Sequence, residues 1–286
     1  MGLSRWSKIW IVITLLSLLL YDTRWLYGVF NRLYQGLVSA DPIGEVLRYQ
    51  FWVDYVLTGV IGDGIRLAAV ILALISAYLV WGPRQEDFPN VKKNVARAIL
   101  FEGIYFLTLL PLSIIGVIRG GSAPVLLIAF IMQILMVSPV LIVLSRKVSG
   151  YTEAAKANVI KWSCIAGVVY LAGIWINNVF RWFSMAASAG LSFLLVGITS
   201  LGFLSTVITL SLSLVFAVAG AYVLLKKDKN KLSIRLFALA LIMLGLHFVI
   251  FIVYSAITSS LNFVWLTEIW PITLLGLGIG MIRGKV

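Results

Sequence analysis

The stretch of sequence that decides the fold class is residues 190–225, GLSFLLVGITSLGFLSTVITLSLSLVFAVAGAYVLL, followed by KKDKNKLSIR at 226–235. The first stretch has 36 residues and no charged side chain. As an α-helix it would be about 54 Å long, whereas about 20 apolar residues already cross a bilayer. The second stretch carries five Lys or Arg residues. An apolar run that ends in a basic cluster is typical of a membrane helix with that end in the cytoplasm.

The rest of the chain has the same apolar character. Of its 286 residues, 61% are hydrophobic and 12% are charged, and the mean hydropathy is +1.03. A soluble domain carries about 25% charged residues because its surface lies in water. Since lipid offers no hydrogen bonds to a bare backbone, each apolar run has to be helical where it meets lipid. The sequence therefore predicts an all-α membrane protein.

Eight apolar runs are long enough to cross a bilayer. The first resembles a signal peptide, but the small residues at 38–40 lie too far beyond its apolar core for cleavage, so we expect an uncleaved helix. We interpret about 28–56 as an outside segment on the membrane surface. The segment at about 183–198 is either an interfacial or re-entrant segment that precedes the sixth span, or an additional, ninth span. The eight predicted spans are about 7–27, 57–81, 96–118, 123–145, 160–180, 200–225, 236–258 and 263–282.

The basic residues predict how these spans are oriented. With eight spans and a cytoplasmic N-terminus, 17 Lys and Arg residues fall inside and six fall outside. This bias is the positive-inside pattern of short loops. A ninth span would move the basic cluster at 226–235 to the outside, so the pattern favours eight spans. We expect both termini in the cytoplasm and the protein in the plasma membrane.

The two halves of the chain, 1–150 and 151–286, resemble each other. The first and fifth spans share a basic-Trp-Ser opening and an Arg-Trp end, and the second and sixth share a stripe of small residues followed by a tyrosine. We predict two tandem four-helix repeats in the same orientation, related by an axis along the membrane normal. The segment at 28–56 is then peculiar to the first repeat. The matched positions are 5–7 with 161–163, 24–25 with 181–182, and 69–78 with 213–222.

Polar residues near the predicted outer surface form the leading candidate site, because burying them in lipid is costly. Asp63 and Arg66 are three residues apart and are expected to share one helical face. Glycines at 59, 62 and 64 indicate a helix start that is unwound or closely approached. We interpret this group as a vestibule that binds the solute. Its residues, with His247 from the middle of the seventh span, are Asp63, Arg66, Asn177, Asn178, Glu268 and His247.

Three of the polar residues have alternative interpretations. His247 either handles a proton or ligand, or simply bonds to a neighbouring helix. Glu102 and Gln133 form a second candidate site. Glu102 is expected to pair with Arg97 or Lys93 just below the cytoplasmic boundary, and Gln133 to hydrogen-bond between helices.

Motifs of enzymes and of metal sites are missing from the sequence. It has one cysteine, Cys164, and one histidine, and it has no zinc-protease, nucleophile-elbow or phosphate-loop motif. We therefore predict no catalytic residue, metal or cofactor. The net charge of +12 comes from residues that orient the spans, so no nucleic-acid partner is expected. The predicted partner is the lipid bilayer.

These observations leave two main functional hypotheses. The leading one is a transporter or channel for a small solute, ion or lipid, which fits the tandem repeat and the polar groups in the spans. The alternative is a non-catalytic subunit of a larger membrane complex, such as a quinone-site membrane anchor, with other membrane subunits as partners and a quinone as its cofactor. An intramembrane enzyme is the third and least supported class.

Overall fold

The computed structural model describes residues 5–39, 41–48, 51–81, 88–118, 124–199, 203, 205–227, 230–258 and 270–283. These residues are almost entirely helical, and none of them lies in a strand. Seven helices within this part of the chain are long and apolar enough to cross a membrane. The protein is thus a polytopic all-α membrane protein, as predicted. The seven helical stretches are Lys8–Leu37, Phe51–Val80, Phe88–Ile115, Ile128–Ser149, Glu153–Phe180, Val207–Lys226 and Lys231–Ile250.

The chain divides into two compact units. Unit I is Leu18–Thr152, and unit II combines Met1–Ser17 with Glu153–Val286. Helix α1 (Arg5–Leu37) contributes its first part to unit II and the remainder to unit I. The other helices of unit I are α2 (Pro42–Leu47), α3 (Gly64–Trp81, preceded without a break by a π-helix at Phe51–Asp63), α4 (Phe88–Thr108), α5 (Leu110–Ile118) and α6 (Pro124–Ser149).

Helix α4 is the central helix of unit I and packs against both α3 and α6. Ser138 Oγ on α6 donates to the Gly103 carbonyl at 2.7 Å, and Ser145 Oγ donates to the Ala96 carbonyl at 2.6 Å. Leu141 lies so close to Gly103 that a Cβ there would be 3.2 Å from it. Small residues and serine hydroxyls therefore hold α4 and α6 together, as they do in many membrane bundles.

Unit II has the same order of packing around α9. Its helices are α7 (Lys156–Thr199), α8 (Ser211–Lys227, preceded by a π-helical segment at Ser205–Leu210), α9 (Asn230–Thr258) and α10 (Trp270–Arg283). Helix α9 packs against both α8 and α10. Ser213 Oγ donates to the Ala240 carbonyl and Ser233 Oγ to the Gly220 carbonyl, each at 2.8 Å.

The first part of α1 packs in unit II against the last helix, α10. The indole ring of Trp10 lies over Gly276, where a Cβ would overlap its six-membered ring, and it also approaches Gly280. Glycine is required at 276 because only a residue without a side chain leaves room for the indole.

Two segments that were predicted to lie outside the eight spans are largely helical, and their position relative to the membrane stays a prediction. The predicted outside segment at 28–56 is divided between α1, which runs to Leu37, and the π-helix that begins at Phe51. Polar residues alone do not end a helix, and α1 ends shortly before Asp41-Pro42. Asp41 Oδ1 accepts a hydrogen bond from Gly44 N and so caps the N-terminus of α2. Residues 183–198 continue α7, whose 44 residues correspond to about 66 Å, because that stretch contains no proline.

The predicted third and eighth spans differ from the observed helices in another way. The third is interrupted at Leu109, between α4 and α5 and two residues before Pro111, which lacks a donor to continue the helix. Of the predicted span at 263–282, the structure describes Trp270–Arg283, a 14-residue helix. Residues 259–269 lie outside the described residues. The count of eight spans and the repeat stay predictions.

Candidate functional site

A buried ion pair joins α1 to α3 in unit I. Arg66 Nε lies 3.4 Å from Asp22 Oδ1, and the two side chains are 24% and 3% exposed. The other oxygen, Asp22 Oδ2, is buried and has no hydrogen-bond partner among the described residues. Burying a carboxylate costs several kcal/mol unless it is paired and hydrogen-bonded, and here only one of its oxygens is paired.

Aromatic side chains hold the Arg66 guanidinium on two sides. Its central carbon lies 5.1 Å from the centre of the Tyr105 ring and 5.8 Å from the centre of the Tyr21 ring. Cation–π contacts of this kind stabilise a guanidinium that has lost water. The Arg66 guanidinium therefore lies between an aromatic ring of α1 and an aromatic ring of α4.

Two more carboxyl groups lie within electrostatic range of the same arginine. The charges of Arg66 and Asp22 act on Asp63, at the end of the π-helix, and on Glu102, one helical turn before Tyr105 on α4. We refer to these five residues, Asp22, Asp63, Arg66, Glu102 and Tyr105, as the acidic cluster. It contains three carboxyl groups and one guanidinium. If all of them are ionised, its net charge is −2.

Gly59 and Gly62 have no side chains, so α1 and α4 can each pack closely against the π-helix. This close packing brings the residues of the acidic cluster near one another. A Cβ at Gly59 would be 2.6 Å from a methyl group of Val29 on α1. A Cβ at Gly62 would meet Thr108 Oγ1 on α4, and Thr58 Oγ1 donates to the Thr108 carbonyl at 3.4 Å. The predicted close approach is found at Gly59 and Gly62 but not at Gly64, and the segment is π-helical rather than unwound. π-Helical segments are rare and are often found at functional sites.

The structure brings together Asp63, Arg66 and Glu102, which the sequence had assigned to two separate sites. No ion pair joins Glu102 to Arg97 or Lys93 in the described part of the chain, where both basic side chains are exposed and the charges that act on Glu102 are those of Arg66 and Asp22. Helix α4 begins at Phe88, so Glu102 is 14 residues, or about 21 Å, along it. Arg97 and Lys93 are five and nine positions before Glu102, whereas side chains that meet on one helical face are three or four positions apart.

His247 is sealed inside unit II. It is 2% exposed, and its Nδ1 lies 3.0 Å from Ser205 Oγ, which also donates to the His247 carbonyl at 3.1 Å. Phe248 contacts the imidazole edge-on. Of the two interpretations of His247, this geometry fits the one in which the imidazole bonds to a neighbouring helical segment.

The remaining predicted site residues have separate environments. Asn177 and Asn178 lie on α7 in unit II, where Asn177 is half-buried and Asn178 Nδ2 donates to the Ile174 carbonyl of its own helix at 2.9 Å. Gln133 on α6 is buried, and its Oε1 has no hydrogen-bond partner among the described residues. Glu268 lies outside the described residues.

Sequence reasoning missed Asp22 and Tyr105. The signal for Asp22 was present, because it is an isolated acidic residue inside an apolar helix, 14 positions after Lys8. It was overlooked because Arg24 and Trp25 were taken as the end of the span. No sequence pattern singles out Tyr105. Among the described residues, no three His, Cys, Asp or Glu side chains are grouped so as to hold a metal ion.

Comparison of the chain with protein-family models, curated proteins and solved structures finds no match.

Proposed function

We propose that this protein is a transporter or channel for a small solute or ion, and that the acidic cluster of unit I is its binding site. The observation that carries the proposal is the ion pair between Asp22 and Arg66, surrounded by two further carboxyl groups inside apolar helices. Ionisable groups within membrane helices are costly, and most of those that occur line substrate, ion or proton pathways.

The charge balance of the cluster favours a cation over an anion. One guanidinium cannot neutralise three carboxylates, and Asp22 Oδ2 has no donor in the part of the chain that the structure describes. A purely structural ion pair would need one acid for one base. The additional Asp63 and Glu102 increase the cost of desolvation without adding a base, so a ligand that supplies positive charge explains them better than packing does.

The proposed topology has eight spans, with both termini in the cytoplasm of a plasma-membrane protein. The distribution of Lys and Arg supports this orientation. Two tandem repeats are supported by parallel features of the units. A π-helical segment precedes both α3 and α8, and a central helix, α4 or α9, packs between its two neighbours in each unit.

The repeat alignment also limits the proposed site to unit I. It matches Ala69 with Ser213, so Asp63 and Arg66 correspond to Val207 and Leu210, both apolar. We therefore propose one cation site in each chain. The second unit would act mainly as a scaffold, with the Ser205–His247 contact as part of its packing.

Reconstitution of the purified chain into liposomes tests this function. We would measure proton flux with an entrapped pH dye, and fluxes of potassium, sodium and choline by light scattering. We expect at least one of these fluxes to exceed that of empty liposomes and to be lost in Asp63→Asn. Glu153→Gln is the matched control, because Glu153 is a carboxylate with a 79% exposed side chain outside the cluster.

The alternative function, a non-catalytic subunit of a membrane complex, predicts a different result. None of the four cations would cross faster than in empty liposomes, and Asp63→Asn would change only stability. Co-purification of other membrane subunits with the native protein, or of a bound quinone, would then favour that alternative.

A further inference from the structure

One oxygen in the acidic cluster is a buried acceptor without a donor. The Asp22 carboxylate is directed at Arg66 through Oδ1, while Oδ2 is buried and has no hydrogen-bond partner among the described residues. A second such acceptor, Gln133 Oε1, lies on α6. The Ser138–Gly103 and Ser145–Ala96 hydrogen bonds set the antiparallel register, which places Gln133 opposite Thr108, one turn beyond Tyr105. Native interiors rarely leave buried acceptors unsatisfied, and each one requires an explanation.

We infer that the acidic cluster binds a proton, taken up at Asp22 Oδ2 and exchanged with Asp63 and Glu102, with Arg66 as its countercharge. This inference rests on the proposed function, because it names the ion that the proposed site takes. In the binding step, one O–H bond of a hydronium ion breaks, a water molecule is left, and an O–H bond forms at Asp22 Oδ2. The carboxylate becomes a neutral carboxylic acid, and the net charge of the cluster changes from −2 to −1.

The geometry favours a proton over a metal cation. A sodium or calcium ion is held by several oxygens that converge on one point. In the described parts of the chain, no three acidic side chains converge so as to hold a metal ion. The carboxyl groups of Asp22, Asp63 and Glu102 all interact electrostatically with Arg66 but do not form such a site. A proton needs only one oxygen with a free lone pair, and Asp22 Oδ2 is such an oxygen.

The groups around the cluster explain how one proton would alter its contacts. The titratable and charged groups that face it are Tyr21 and Asp22 from α1, Asp63 and Arg66 from α3 and its π-helix, and Glu102 and Tyr105 from α4. A neutral Asp22 attracts Arg66 less strongly than a carboxylate does. Arg66 then turns toward Asp63 or Glu102 while it remains between the two tyrosine rings. Deprotonation of Asp22 reverses the change, so proton binding is coupled to the position of the guanidinium.

Infrared difference spectroscopy of the purified full chain in detergent tests the inference without requiring flux. Spectra are compared between about pH 7.5 and about pH 5.5, above the range near 4 in which exposed carboxyl groups titrate. We expect a carbonyl band of a protonated carboxylic acid to appear in the wild type and in Glu153→Gln. The band should be lost in Asp22→Asn, which keeps the shape of the side chain and cannot take the proton.

The other variants and a salt comparison make the result decisive. If Asp22→Asn does not fold, Asp63→Asn and Glu102→Gln should shift the band or reduce its area, because these groups share the proton. Replacing choline by sodium at constant pH should leave the band unchanged. Any one of three results would overturn the inference. These are a wild-type spectrum without the band, a full band in all three cluster variants, and a band that sodium removes. Flux without the band would leave the proposed function intact, and the band without flux would refute only transport.

Discussion

Arg66 Nε and Asp22 Oδ1 are 3.4 Å apart, and this ion pair joins α1 to α3 within apolar helices. Asp22 and Arg66 are 44 positions apart in the sequence, and no local spacing relates them. Because the Asp22 side chain is 3% exposed, losing its partner would leave a charge away from water. The pair therefore has structural as well as functional consequences.

A double-mutant cycle on Asp22 and Arg66 should reveal strong coupling. Removing one partner of a buried pair typically costs about 3–5 kcal/mol, and we expect the lower part of this range because Arg66 is partly exposed. Asp22→Ala and Arg66→Ala should each destabilise the protein, and the double variant should be less destabilised than the sum of the two. Reversible unfolding in mixed detergent micelles measures the free energies. Additive effects would show that the two side chains do not interact.

The two glycines of the π-helix, Gly59 and Gly62, should differ sharply from Gly64, the first residue of α3, in their tolerance of a methyl group. Gly59→Ala and Gly62→Ala would bring a Cβ against Val29 and Thr108, whereas nothing lies within 4 Å of a Cβ at Gly64. We expect the first two substitutions to cost about 1–3 kcal/mol through overpacking. Gly64→Ala, the matched control, should be neutral or stabilise the helix by up to about 1 kcal/mol. The same unfolding measurement compares them, and equal effects at all three positions would argue against the close approach.

Ser205→Ala should change stability without changing flux. Ser205 is the hydrogen-bond partner of the buried His247 ring, so its loss leaves a polar atom unsatisfied, which typically costs about 1–3 kcal/mol. Thr23→Ala serves as the control, because its exposed hydroxyl bonds only to the Leu19 carbonyl of its own helix. Loss of cation flux in a folded Ser205→Ala protein would show that His247 belongs to the pathway.

Single cysteines in a Cys164-free background should report the proposed topology. Cysteines at Asn90, Asn158 and Asn230 should react only with reagents on the cytoplasmic side, because they lie beside the basic segments. Those at Ser122 and Ser260 should react only from outside. Labelling of position 230 from outside would require an odd number of spans before it and would refute the eight-span topology.

Hydropathy alone predicted the helical class and located most of the spans, because the transfer of apolar side chains into lipid dominates each of them. It also singled out Asp63, Arg66 and Glu102 as costly residues. It failed where contacts between helices decide the outcome. Glu102 was paired with nearby Arg97 because only neighbours along the chain are visible in a sequence. Asp22 was missed for the same reason, since its partner is on another helix.

The extent of irregular segments was equally difficult to predict. Residues after Gly28 contain arginines and aromatic residues that suit either a helix continuing past the membrane surface or a separate amphipathic piece. The choice depends on where the chain meets a stop signal, which here is Asp41-Pro42. In the π-helix at Phe51–Asp63, Val29 and Thr108 approach two glycines closely, and hydropathy carries no information about such contacts.

The contact between Trp10 and Gly276 has a consequence for biosynthesis. Unit I is contiguous in sequence, so its helices can assemble soon after they leave the ribosome. Packing of unit II requires the contact between Trp10 and Gly276, which are 266 positions apart in the sequence. At about 5–20 residues each second, Trp10 is made on the order of tens of seconds before Gly276. During that interval the indole face of α1 has only lipid, the insertion machinery or a temporary neighbour to contact. Assembly of unit II is therefore completed only after Gly276 has been made, and a chain cut short before Gly276 would keep a first helix without this partner.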